Sequence, residues 1–180
     1  MAEAFDEAVG SVALQIDDLQ KFRAQAAAVA RQLGAAAVPA LSTRLHSPPR
    51  PEPPGSDGGQ RGLGGWLSAW QFAIFELFFE FGTAALPVLR QVAFGEYDWI
   101  QGNAVEVLVR LAAKGIEREQ IIGELRQEFP RFREEAQLYA VGPLLHHAAR
   151  DPAVAAVVRQ LEDMPAWRAA AEELREADDA

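Results

Sequence analysis

His146 and His147 are adjacent, and with His46 they make up the three histidines of the chain. On one helix, neighbouring residues point about 100° apart. A metal-binding pair on a helix needs a spacing of three or four, so His146 and His147 do not form one. His46 has no partner near it in sequence. Glu76 and Glu80 are four residues apart, the spacing of a carboxylate pair suited to metal binding or acid–base work. No His or Asp lies nearby to complete such a site, and the pair reads as the solvent stripe of an otherwise apolar helix. The chain has no Cys, which excludes a disulfide scaffold, a thiolate zinc site and a cysteine nucleophile. Gly58-Gly59-Gln60-Arg61-Gly62 lacks the Lys-Ser/Thr ending of a phosphate loop. No catalytic residue, metal ligand or cofactor is therefore expected. What remains is the chemistry of contact. Gly95-Glu96-Tyr97-Asp98-Trp99 places two acids and two aromatics in one turn, a composition that suits an interface hot spot. The plainer reading folds Tyr97 and Trp99 inward to seal neighbouring helices. Phe129-Pro130-Arg131-Phe132-Arg133 is a similar turn with Arg in place of the acids.

These residues must be held by helices. Phe5, Val9, Val12, Ile16, Leu19, Phe22, Ala26, Val29 and Leu33 recur near period 3.5 and predict one long helix over 3–33, capped by Gly34. Short helices with an internal proline follow over 35–46 and 83–94. Trp66 to Phe81 is the most apolar stretch, with Glu76 and Glu80 its charged residues. Its sixteen residues rise about 24 Å, short of the roughly 30 Å hydrocarbon core of a bilayer, so a central packed helix is expected. Asp98 is a suitable N-cap for a helix over 99–114, with Ile100, Ala104, Val107, Leu108 and Leu111 on one face and Asn103, Glu106, Arg110 and Lys114 on the other. Further helices are expected over 117–129, over 132–150 with an interruption at Gly142-Pro143, after Asp151-Pro152, and over 166–177. No segment alternates at period two, so no strand is expected. Ser47 to Gly65 is dense in Pro and Gly and reads as a flexible loop; 178–180 reads as a frayed end.

The 180 residues carry 26 acids against 17 Lys plus Arg, a net charge of -9. Phosphate-backbone binding draws on Lys and Arg, so nucleic acid is not an expected partner, and an anionic membrane would repel the chain. A basic protein would be attracted. The first residues lack the basic start and apolar run of a signal peptide, so a cytoplasmic protein is expected.

Two stretches match at an offset of 48 residues: Leu33-Gly34-Ala35-Ala36-Ala37-Val38-Pro39-Ala40-Leu41 and Phe81-Gly82-Thr83-Ala84-Ala85-Leu86-Pro87-Val88-Leu89. Gly can end one helix, the small residues permit close approach, and Pro a turn into the next helix would bend it. Such periods signal stacked helix pairs. The pattern resembles the HEAT-repeat family of α-solenoids, including its short bacterial forms, over about residues 28 to 115. The resemblance implies one all-α, HEAT-like domain over 1–180, with about seven to eight helices and second helices lining a concave binding face. The implied function is non-enzymatic protein–protein interaction of an adaptor, scaffold or immunity type. Asn103, Glu106 and Arg110 would line the groove and Asp98 and Trp99 its rim, facing a protein partner that the acidity favours as basic. The other class in such folds is a lyase or another enzyme with an apolar cavity, here beside residues 66–81.

Overall fold

The computed structural model describes residues 2–49 and 65–178. The Pro/Gly loop expected over 47–65 and the frayed end at 178–180 lie almost wholly outside the described residues. Gly65 itself already belongs to a helix. All regular structure among the described residues is helical, with no strand. The chain divides into two compact units, Met1–Val88 and Leu89–Ala180.

In the first unit, α1 (Ala2–Ala13) and α2 (Leu19–Leu33) pack against each other and on α4 (Gly65–Phe81), and the short α3 (Val38–Ser42) also touches α4. The single long helix expected over 3–33 is thus two helices. Asp18 is the reason: its backbone is extended, at φ -122° and ψ 97°, and its carboxylate accepts the Lys21 N–H at 3.1 Å as an N-cap. That bond holds the Asp18 carboxyl below its ordinary pKa of 3.8. The apolar stripe carries on across the break because both helices turn it toward α4, burying Val9, Val12, Phe22, Ala26 and Val29. Leu14 and Leu19, at the turn, stay exposed. Gln25 on α2 donates to the Ser11 hydroxyl on α1 at 2.9 Å.

Helix α4 is apolar on nearly every face and buries most of its residues between Trp66 and Phe78, while Phe72 stays exposed. Each large side chain so buried contributes about 1.5–3 kcal/mol. Trp70 donates its indole N–H to the Arg44 carbonyl at 2.9 Å, and the Arg44 side chain reaches α1, with Nε 2.8 Å from Asp6 and its guanidinium 4.8 Å over the Phe5 ring. Glu80 is exposed as expected. Glu76 is not: it is 5% exposed, with Arg23 Nε at 3.9 Å. The expected two-residue solvent stripe is therefore reduced to Glu80.

The two matching stretches follow the same local path. Gly34 and Gly82 take φ of 72° and 60°; a tight 3-10 turn runs over Ala35–Ala37 after Gly34 and over Gly82–Ala85 from Gly82 itself, and then α3 or α5 (Leu86–Phe94) begins. Ala37, Val38 and Leu41 are buried in one copy, Ala85, Leu86 and Leu89 in the other, while Pro39 and Pro87 are exposed. Both prolines are the second residue of their helix, not a turn into it. They open the helix, where a missing N–H costs nothing, instead of bending it. Counting α4, its turn and α5 as the one helical run Gly65–Phe94, nine helical rods stand among the described residues where seven to eight were expected. By length and composition that run could cross a membrane; half of its most apolar window is buried within the fold. The division between the two units falls inside α5.

In the second unit, α6 (Gln101–Ala113) is the central helix, touching α7 (Arg118–Glu128), α8 (Glu134–Ala148) and α9 (Pro152–Leu161). Helix α10 (Pro165–Asp178) packs on α8. Asp151 caps α9 as expected, accepting from Ala153 N at 2.8 Å, with Pro152 first in the helix. Gly115, at φ 83°, closes α6. The next turn is held by Arg90, which sits 2.8 Å from both Glu117 and Glu124; Glu117 has the single positive φ among non-glycine residues described, 42°. Helix α8 continues without a break through Gly142-Pro143, where an interruption was expected. Ala140, Val141 and Leu144 are fully buried around the proline, and that packing outweighs the one backbone hydrogen bond it removes.

Candidate functional site

The five residues singled out from the sequence all lie in the second unit, at the start and along the length of α6. Asp98 sits in the turn that precedes the helix, where its Oδ1 accepts the Ile100 N–H at 3.3 Å and its carbonyl accepts the Gln101 N–H at 2.9 Å. It shapes the entry to α6 from two residues before the N-cap, which is Ile100 and not Asp98 as expected. Trp99 beside it is exposed, and Asn103 is half-buried.

Glu106 and Arg110 are placed differently. They are 9% and 7% exposed, so they lie within the packing of α6 and not on an open face. Glu106 Oε1 is 3.4 Å from Arg110 Nη1 and 2.8 Å from Nε2 of His147, which reaches across from α8. The expected polar face of α6 is thus partly internal, with buried Glu106 and Arg110 joined by the half-buried His147. His146, the adjacent residue, is exposed on another side of α8. Among the described residues no group of three or more His, Cys, Asp and Glu could hold a metal ion.

The exposed aromatic residues of the second unit gather near the start of α6. Tyr97, Trp99 and Tyr139 are 40%, 46% and 61% exposed. Two contacts bring them to one region. The Arg133 guanidinium, just before α8, lies 4.3 Å over the centre of the Tyr97 ring. Gly102, in the first turn of α6, lies so close to α8 that a Cβ built on it would stand 2.7 Å from the Tyr139 carbonyl carbon and Cβ. Only glycine permits that approach. The first turn of α6 therefore meets the second turn of α8, and exposed aromatics flank the junction. Glu96, Glu134 and Glu135 are exposed around it and form no ion pair among the described residues.

Sequence spacing pointed to Tyr97, Asp98, Trp99 and Asn103, but not to Tyr139 or Arg133 as their companions. Nor did it pair Glu106 with His147, 41 positions away. The one trace of the junction in the sequence is Gly102, a glycine inside an otherwise good helix.

A separate cleft of about 410 Å³ opens in the same unit beside α10, lined by Leu145, Glu162, Trp167, Arg168, Glu172 and Arg175. Along residues 66–81, by contrast, Trp66, Trp70, Ile74, Leu77 and Phe78 are packed as core. No protein-family model, curated protein or solved structure matches this chain.

Proposed function

We propose that this chain is a non-enzymatic protein-interaction module of the cytoplasm, built on HEAT-like helical hairpins, and that it docks a protein partner where the first turn of α6 meets the second turn of α8. Tyr97, Trp99 and Tyr139 are the anchors, and Asp98 and Asn103 stand beside them. The observation that carries the reading is the exposure of three large aromatics, 40–61%, at one helix junction. Aromatic side chains left in water at a rigid junction give large contact area at little entropic cost, the usual make-up of an interface hot spot. Support for the HEAT-like part is the shared path of the two proline stretches, from left-handed glycine to 3-10 turn to Pro-opened helix. Glu106 and Arg110, buried, act through the packing of α6 instead of by direct contact.

The test is recovery of partners from the native host by the wild-type chain and by a Trp99→Ala/Tyr139→Ala variant. Both sites are exposed, so the variant keeps its melting temperature within a few degrees. The reading expects specific partners with wild type and their loss with the variant. Recovery of the same proteins by both would overturn it.

A further inference from the structure

The same junction has a charge and an aromatic content that bear on the chemistry of a partner. Tyr97 already carries a guanidinium, that of Arg133, at 4.3 Å from the ring centre. Trp99 and Tyr139 have no ring or cation partner among the described residues. From Gly95 to Asn103 and from Phe132 to Tyr139 the chain has four acids, Glu96, Asp98, Glu134 and Glu135, against the single cation Arg133. The region thus has a net charge of -3 with open indole and phenol faces. A hydrocarbon-rich partner would leave the carboxylates facing apolar surface, and an acidic partner would be repelled. A cation that is planar and weakly hydrated satisfies both features, since it stacks on aromatic faces while its N–H groups meet carboxylates.

We propose, building on the function proposed above, that the junction binds arginine side chains of a basic segment in the partner protein, with the guanidinium groups on Trp99 and Tyr139 and the acids around them as counter-charges. Arg133 then acts as an internal competitor: it covers the Tyr97 face and carries the one positive charge of the region.

The probes are hexa-arginine, hexa-lysine and hexa-glutamate peptides, titrated into the full chain while the four Trp indole N–H resonances are followed by NMR. Hexa-arginine is expected to shift the Trp99 signal and to bind at least about threefold more tightly than hexa-lysine, the difference a stacked guanidinium supplies at an exposed site. Hexa-glutamate is expected not to bind. Trp99→Ala/Tyr139→Ala should remove the preference for arginine, and Arg133→Ala should tighten hexa-arginine binding about threefold. Equal affinity for the arginine and lysine peptides would overturn the proposal, because charge alone would then account for binding. So would shifts confined to other indoles, or no binding of hexa-arginine. In each of those cases partner recovery that depends on Trp99 and Tyr139 still stands, so the failure belongs to the arginine chemistry and not to the docking surface.

Discussion

A carboxylate at position 106, with His147 at 2.8 Å and Arg110 at 3.4 Å, stands among residues that otherwise pack α6 on α8. Taking charged groups out of water is costly, and the cost is met only while partners remain in place. Removing the shared acceptor leaves the Arg110 guanidinium and the His147 ring without it. Glu106→Ala is therefore expected to lower stability by about 3 kcal/mol, read from the urea midpoint of the second unit's unfolding. An unchanged midpoint would mean that water already solvates the cluster. The position of Glu106 on a polar helical face was legible in the sequence; its burial was not. Helical periodicity records the neighbours of a residue on its own helix, whereas burial depends on what α8 brings, and His147 lies 41 residues away. Glu76 makes the same point, since its alignment with Glu80 says nothing about Arg23 across on α2.

At the scale of elements, the helices themselves were readable because apolar residues recur at their period, and the caps Gly34, Asp151 and Gly115 end or begin them as their chemistry requires. The break between α1 and α2 was hidden because the stripe keeps its phase through the turn at Leu14–Asp18. Pro143 misled in the opposite direction: a local breaker was overruled by the burial of its neighbours. Gly102 is the element-scale feature on which the candidate surface depends. A side chain there meets the backbone of Tyr139 and Ala140 within 2.8 Å, and backbone cannot move aside cheaply. Gly102→Ala is expected to destabilise by about 1–3 kcal/mol and to separate α6 from α8. Gly123 in α7 is the control, because nothing lies within 4 Å of its built Cβ. Gly123→Ala should gain up to about 1 kcal/mol of helix propensity. Chemical denaturation of the two variants checks the contrast; equal effects would show that the α6–α8 approach is not tight.

For the molecule as a whole, the net charge of -9 is consistent with the basic partner proposed above, and the second unit concentrates exposed aromatics and acids at one junction. Phe72, exposed on α4 in the first unit, provides an internal comparison of similar chemistry without that setting. The most direct measurement places a photo-crosslinking benzoylphenylalanine at position 99 or at position 72 in the native host and identifies the proteins joined on irradiation. A discrete protein adduct from position 99, absent from position 72, is the result predicted. Adducts from position 72 alone, or none from position 99, would contradict a docking surface at the start of α6.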